Sequence, residues 1–442
     1  MKTQSETNLI RRFLSADIAA RALQMAGLLR FACVFLQGII LVKAGVPVHT
    51  VGQVEIVFFV ANFFSFFWQN GASNAMMSWA SGDDRAKVAG SIFGATHLQA
   101  LIAIVMMWGL LQIPVDAKFS IVSSGVSAAA LIAYVFFSIP SGAIVYSYLI
   151  RKKYSAILWF TGISQITQVA IVAVTVMNGY SIEEMIMALA VFAVAKWLFV
   201  MSSGKWFVSG NTLSGAWAFF VFALPLVLHA FNGGIMDYVD GWIVSMFYGE
   251  GTFAQYRFGA RELPFNALLI GGLMSGLVHT FKSDNHLNVS KLRSETSRIM
   301  SILFPLNCIL ILLSVPLYTL VYSEDFVLSA RIFNIYTLTL LSRIIMNQVF
   351  CYVHHHNWVL TASTAVEVVV NIALSLLLMQ WLGLIGIPLA TVLAYGLQKA
   401  FLVWYVRAKF TVRFREYVPV RQCIWYFAAI LLCVFISEMI YF

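Results

Sequence analysis

Apolar positions follow one another almost without interruption along this chain, in runs of about 19 to 28 residues separated by short polar breaks. A run longer than about 18 residues with few charges is the pattern of a helix that crosses a bilayer. Reading runs against breaks predicts helices at 22–42, 51–79, 88–112, 120–149, 155–178, 183–203, 214–247, 252–281, 297–322, 326–353, 357–381 and 384–406. A further run, CIWYFAAILLCVFISEMIYF at 423–442, predicts a thirteenth span after a basic stretch.

Composition agrees with the pattern. Of 442 residues, 61% are hydrophobic and only 11% charged, against roughly 25% charged in soluble domains. The fold class is all-α, a polytopic membrane protein. The first forty residues lack a short apolar segment followed by a small-residue cleavage site, so they read as a retained first helix with an amphipathic lead-in rather than a signal peptide.

The formal charge of +9 is a topology signal. With the amino terminus placed in the cytoplasm, the inner segments hold 19 lysines and arginines, while the outer loops hold only Lys43 and Lys118. The expected location is therefore the inner (plasma) membrane, with no nucleic-acid partner. The outer loops are short and often acidic, as in SIEEM and SEDF, and leave no room for a folded external domain.

A weak internal repeat organises the spans. VGQVEI at 51–56 aligns with FAQYRF at 253–258, an offset of 202, and KKYSAILWFTG from 152 aligns with HHNWVLTAST from 355, an offset of 203 that also matches Lys196 with Lys399. Two six-helix lobes follow, related by an axis along the membrane normal. The implied domains are 1–205, 206–410, and 411–442 for the basic segment and the extra helix.

Ionised groups inside a membrane are costly, about 2.5–3.5 kcal/mol each on insertion scales, so they line cavities or pair. In the first half, Arg30 shares a helix face with Gln37, and Glu55, Asn62, Gln69 and Ser73 form a polar stripe at spacings of seven, seven and four. In the second half, His229, Asn232, Asp237 and Asp240 fall within about 140° of one helix face, and Arg257 and Arg261 are i, i+4 neighbours. Arg331 and Arg343 lie twelve residues apart on nearly one face of the tenth helix. The polar stripes thus sit on the first, second, seventh and eighth helices and describe a central polar cavity.

Arg30, Arg257, Arg261, Arg331 and Arg343 outnumber the acids beside them, and the planar guanidinium suits phosphate oxygens. They are the candidate substrate-binding residues, with Asn62 and Gln69. Glu55, Asp237, Asp240 and Glu262 are candidate ion-coupling groups or charge partners; whether Asp240 couples an ion or pairs with Arg257 or Arg261 is left open by the sequence. Lys196 and Lys399 read as snorkelling toward the cytoplasmic interface, and Glu250 as a solvated loop charge.

Other chemistries fit poorly. Cys33, Cys308, Cys351, Cys423 and Cys433 are scattered without metal-ligand spacing, and read as buried free thiols. His354, His355 and His356 are adjacent, point in different directions and lack a carboxylate or thiol nearby, so they read as a polar loop end rather than a metal site. No metal or cofactor is expected. DYVD at 237–240 resembles half of a metal–diphosphate motif, but no second acid cluster faces it within a helix, which argues against an enzyme.

Three stretches carry a family resemblance: VGQVEIVFFVANFFSFFWQNGASNA (51–75), PLVLHAFNGGIMDYVDGWIVSMFYGEGTFAQYRFGARELP (225–264) and the segment HNWVLTASTAVEVVVNIALSLLLMQWLGLIGIPLATVLAYGLQKA (356–400). With these the chain resembles the MOP (MATE-like) flippase superfamily, specifically its Wzx-type polysaccharide or O-antigen exporters, over residues 10–410. The resemblance implies a twelve-helix, two-lobed transporter that flips a polyprenyl-diphosphate-linked oligosaccharide from the cytoplasmic to the outer leaflet by alternating access. Cavity cations such as Arg30, Arg257 and Arg261 would hold the diphosphate. Implied partners are the lipid-linked oligosaccharide, membrane lipid, and the polymerase and glycosyltransferases of surface polysaccharide synthesis. A cation-coupled drug or metabolite antiporter of the same fold is the competing reading, and it would rely on Glu55, Asp237 and Asp240.

Overall fold

In hydrocarbon every backbone N–H and C=O must find a partner within the protein, and long apolar runs meet that demand by closing into helices. The computed structural model describes residues 18–79, 85–111, 125–203, 213–261, 264–283 and 288–442, and among them every regular element is helical. In chain order these are α1 (Ile18–Lys43), α2 (Val48–Trp79), α3 (Arg85–Leu111), α4 (Gly125–Ser141), α5 (Ile144–Ile150), α6 (Tyr154–Met177), α7 (Ile182–Ser203) and α8 (Leu213–Gly234). There follow α9 (Met236–Phe247), α10 (Glu250–Ala260), α11 (Pro264–Ser283), α12 (Val289–Leu312), α13 (Ser314–Val321), α14 (Val327–Thr337), α15 (Thr339–Ile344) and α16 (Gln348–Val353). The chain closes with α17 (Asn357–Leu382), α18 (Gly386–Phe410), the single turn α19 (Phe414–Tyr417) and α20 (Val420–Tyr441).

Ten stretches among the described residues are long and apolar enough to cross a membrane, and one of them, Asn357–Phe410, carries two helices, α17 and α18. The thirteenth run is one of the ten, as α20.

Local chemistry explains where helices stop. Gly383 sits at φ +60° immediately after α17, a left-handed conformation that side chains with a Cβ resist. Asn288 caps α12 by accepting from the Lys291 N–H at 3.0 Å. Pro264 opens α11, where its missing N–H is no loss.

Several runs read from the sequence as single helices are interrupted. Residues 213–247 break at Ile235, after the Gly233–Gly234 pair, yet Ile235 keeps helical dihedrals (φ −60°, ψ −34°). Two other breaks are true departures from helix: Arg261 at φ −67°, ψ 111° and Ile345 at φ −75°, ψ 97° are both extended. Extended backbone at membrane depth persists only where protein groups or a cavity satisfy it.

The chain divides into two compact units, residues 1–46 with 57–231, and 47–56 with 232–442, so the division passes through α2 and α8. In unit 1, α1 packs on α6 and α4 on both α3 and α7. Ala22, Ala26 and Ile157 form a small core there, with Tyr148, Leu149 and Leu158 against it. Gly71 of α2 lies on the backbone of Val227, so closely that a Cβ would strike it, and Trp79 stacks near Phe222 with ring centroids 4.8 Å apart. Trp197 donates to the His97 ring at 2.9 Å.

In unit 2 the most extensive helix pair is α17 on α18. Its core gathers Phe281, Met300, Phe304, Ile344, Phe350 and Tyr417. The terminal α20 is built into this unit: Gln422 bonds Ser297 and Ser301, and Tyr426 stacks on Phe304 at 5.1 Å. The α2 portion of unit 2 meets the start of α10, where a Cβ on Gly52 would fall on the Glu250 carbonyl. Glu250 itself is half-buried, opens α10 and faces His49 at 3.4 Å, rather than standing as a free loop charge.

The outward faces are apolar. Trp358 and Trp381, 80% and 81% exposed, stand at the two ends of α17. At about 1.5 Å rise per residue they are about 34 Å apart, close to the thickness of a bilayer's hydrocarbon core, where tryptophans gather at each interface.

Candidate substrate and coupling site

The stretch MDYVDGWIVSMF folds as α9 because Ile243 and Val244 bury with Val239, and that face carries Asp240 inward with them. Asp240 is 3% exposed, whereas Asp237, three residues earlier, is exposed. Three donors converge on the Asp240 carboxylate from three other helices: Asn371 Nδ2 of α17 at 2.8 Å, Tyr336 OH of α14 at 2.6 Å, and Thr391 Oγ1 of α18. The network continues outward. Tyr336 meets the Tyr256 hydroxyl, and Ser375 donates to Asn371 Oδ1 at 3.1 Å. A buried carboxylate held by neutral groups keeps its charge uncompensated, an arrangement able to receive a small cation or a proton.

Neither Arg257 nor Arg261 pairs with Asp240. Arg257 is half-buried on α10, within electrostatic reach of Tyr238 and Tyr256. Arg261 is the first residue beyond α10, and its extended backbone turns the side chain onto Glu55, Nη2 to Oε1 at 2.6 Å. Its guanidinium also lies over the Phe258 ring, 4.6 Å from the centroid. The i, i+4 spacing therefore does not put the two arginines to the same use, because the helix ends between them.

Arg331 is likewise engaged. It forms a two-pronged pair with Glu438 of α20, Nε to Oε1 at 2.9 Å and Nη2 to Oε2 at 2.8 Å, and covers the Phe442 ring. Arg343, twelve residues further on and in α15, stacks on Tyr395 at 5.3 Å and lines a cavity of about 330 Å³ with Lys399, Gln348 and Tyr352. Lys399 does not snorkel: it is buried, and Nζ donates to the carbonyl of Ile345 at 3.3 Å, the residue where the helix is broken. Asn347 ties the same break from the other side, Nδ2 to the Lys399 carbonyl at 3.2 Å. Glu367 of α17, also buried, lies in the field of Lys399 and Arg343.

In unit 1, Arg30 is exposed on α1 and interacts electrostatically with Lys196 and Tyr146. Asn62 is exposed and Gln69 half-buried on α2, with Ser73 bonded back to the Gln69 carbonyl. His229 is exposed, and Asn232 approaches the Thr361 carbonyl at 3.5 Å. Glu262 lies outside the described residues.

No group of three His, Cys, Asp or Glu side chains placed to hold a metal occurs among the described residues. His354 stacks on Phe410 and the His356 ring meets the Tyr405 hydroxyl at 2.6 Å.

Sequence reasoning passed over Tyr336, Asn371 and Thr391, assigned no role to Glu367 and Glu438, and read Lys399 as interfacial. One signal was present. The buried residues of α17 are Ser363, Glu367, Asn371 and Ser375, every fourth position, in a helix whose other faces are apolar. A polar stripe turned inward and an apolar surface turned outward is the mark of a functional membrane helix.

Comparisons with known proteins bear on the whole chain. Three solved structures share the fold: lipid II flippase MurJ in an inward closed conformation (TM-score 0.65, 18% identity, covering 96% of this chain and 93% of that one); an inward-facing multidrug resistance MATE transporter of the MOP superfamily (0.59, 14%, 89% and 98%); and a MOP superfamily transporter from Pyrococcus furiosus (0.57, 12%, 89% and 95%). No curated protein sequence matches the chain. The family model for lipid II flippase MurJ matches residues 219–442, about half of the sequence and nearly all of unit 2. A multi-pass, all-helical protein of the MATE and MurJ fold, whose second half fits that model, belongs to the lipid II flippase MurJ family, a family of transporters rather than enzymes.

Proposed function

We propose that this protein moves a polyprenyl-diphosphate-linked saccharide from the cytoplasmic to the outer leaflet, by alternating access, as a step in building cell-surface polysaccharide. The observation that carries the reading is the family match over residues 219–442, in the half of the chain that holds the buried Asp240 and four of the five candidate cations. Arg261 and Arg331 are held by carboxylates, which gives them a structural role. Arg30, Arg257 and Arg343 are the cations we assign to the diphosphate, whose oxygens suit the guanidinium fork. Asn62 and Gln69 supply hydrogen bonds for sugar hydroxyls.

Asp240 is the group we assign to coupling. It is buried, it accepts hydrogen bonds from the neutral donors Asn371, Thr391 and Tyr336, and among the described residues no ion pair to it occurs. Uptake of Na⁺ or H⁺ there changes the charge of a point where α9, α14, α17 and α18 converge. The amino terminus is assigned to the cytoplasm by the excess of Lys and Arg in the segments on that side.

The test is reconstitution of the full chain in liposomes with a fluorescent polyprenyl-diphosphate saccharide, reading the fraction accessible to a membrane-impermeant quencher over time. Flipping is expected, with a loss of tenfold or more in Arg257→Ala. Extrusion of a cationic dye that vanishes in Asp240→Asn, together with no movement of the diphosphate lipid, would establish the antiporter reading instead.

A further inference from the structure

Two acids meet the buried stripe of α17, and their surroundings are opposite. Asp240 of α9 reaches the stripe at Asn371 and is held by three donors. Glu367, one turn nearer the start of α17, is 3% exposed, and its Oε1 is buried without a hydrogen-bond partner. The donors around it are committed elsewhere. Asn371 Nδ2 turns to Asp240, Ser363 donates to the Leu360 carbonyl at 2.9 Å, Gln398 Nε2 to Thr364 at 3.2 Å, and Lys399 Nζ to the Ile345 carbonyl.

Glu367 lies at the floor of a groove of about 220 Å³ between α17 and α18, several-fold larger than the share of a single water. The rim residues Val366, Leu397 and Phe401 stand exposed, on the same outward apolar faces that carry Trp358 and Trp404. The groove therefore opens to lipid. At about 1.5 Å rise per residue Glu367 is about 13 Å along α17 from Trp358, near the middle of a hydrocarbon core about 30 Å thick.

An ionised oxygen with no donor is among the costliest groups to bury, and the neutral acid costs far less. Against this, Lys399 of α18 and Arg343 of α15 set a field in which an anion is stabilised. Of the other helices packed on α17, α9 brings Asp240, whose negative charge disfavours a second anion nearby, and α16 carries Cys351 and Tyr352. A carboxyl under opposed influences of this kind exchanges a proton rather than keeping one state.

We propose that Glu367 is a proton-binding site, separate from Asp240, which takes up and releases H⁺ and is open to lipid through the groove between α17 and α18. At Asp240 three donors solvate an anion; at Glu367 the place of a donor is left to the proton itself. Uptake there removes the negative charge that faces Lys399 and makes the inner cavity lined by Lys399 more positive. The site serves a flippase and an antiporter alike, and so goes beyond the choice of cargo.

The test is modification of the full chain in nanodiscs by dicyclohexylcarbodiimide, an apolar reagent that enters from the hydrocarbon and reacts with a protonated carboxyl. The carboxyl O–H adds across one C=N bond, its proton going to nitrogen, and the O-acylisourea rearranges to a stable N-acylurea with nothing released. Peptide mass spectrometry is expected to place the adduct on Glu367, with at least tenfold less at about pH 9 than at about pH 5. Leu397→Trp, which fills the groove from its lipid rim, is expected to lower labelling at least tenfold. Asp240→Asn is expected to keep the adduct on Glu367. A charged, water-soluble carbodiimide is expected to modify Glu324, exposed at an outer turn, and to spare Glu367. An unmodified Glu367 in the parent, or a yield that does not change with pH, overturns the proton site. Equal labelling in Leu397→Trp, or reaction of Glu367 with the charged reagent, overturns the route from lipid, and loss of the adduct in Asp240→Asn overturns the separation of the two acids.

Discussion

Arg261 and Glu55, 206 residues apart in sequence, meet at 2.6 Å with side chains only 11% and 6% exposed. A pair so buried is costly to split, because the survivor is left as an uncompensated charge, by about 3–5 kcal/mol. Glu55→Gln or Arg261→Gln alone is expected to destabilise by that amount in mixed-micelle denaturation. The double variant Glu55→Gln with Arg261→Gln is expected to recover at least half of the loss. A double variant as unstable as the two single losses added together would show that the residues do not act as a pair.

Close backbone approach sets a second expectation. A Cβ on Gly52 would fall on the Glu250 carbonyl, and α2 is a helix that cannot shift one residue by itself. Gly52→Ala is expected to cost about 1–3 kcal/mol, the range of overpacking. Gly396, on α18, has open space where its Cβ would stand, so Gly396→Ala is expected to be neutral or to stabilise by up to about 1 kcal/mol. Thermal inactivation of the two variants side by side checks the sign as well as the size.

The hydrogen bonds around Asp240 separate coupling from scaffolding. Tyr336→Phe removes one of three donors and is expected to cost about 0.5–1.5 kcal/mol while transport keeps its dependence on the cation gradient. Asp240→Asn, nearly isosteric, is expected to fold and to lose that dependence. Flipping rates measured with and without Na⁺ and pH gradients decide between the two roles, and an Asp240→Asn protein that still responds to a gradient removes Asp240 from coupling.

The docking of α20 offers a contrast in which the more conspicuous contact matters less. The Arg331–Glu438 pair is two-pronged but 36% and 29% exposed, and pairs in such settings contribute about 0–1 kcal/mol. Ser437 is fully buried and accepts from Asn334 Nδ2 at 3.0 Å. Ser437→Ala leaves that amide unsatisfied, at about 1–3 kcal/mol, and is expected to exceed the effect of Glu438→Gln in the same unfolding assay.

What could be read from residues alone was the class of element and the positions that matter, because both depend on local hydrophobicity. Glu55, Asp240, Arg261 and Arg343 stood out as charges in apolar runs, and each lies at a defined feature of unit 2. Their partners were not legible. The Glu55–Arg261 pair depends on α10 ending at Ala260, a break that Pro264 hints at but does not place. Lys399 looked like an interfacial lysine because its distance from the helix end is right for one; the carbonyl of Ile345, in the extended break between α15 and α16, draws it inward instead. The inward polar stripe of α17 was visible at every fourth residue and was masked by the length of the apolar run around it.

The tryptophans at the two ends of α17 act as depth marks. Trp358 and Trp381 fix about 34 Å of this helix between the two headgroup regions, a little more than an average hydrocarbon core. In a thinner bilayer α17 must tilt to keep both rings at their interfaces. Because α17 carries Asn371 against Asp240 and packs along α18, acyl-chain length becomes a variable that bears directly on the carboxylate network.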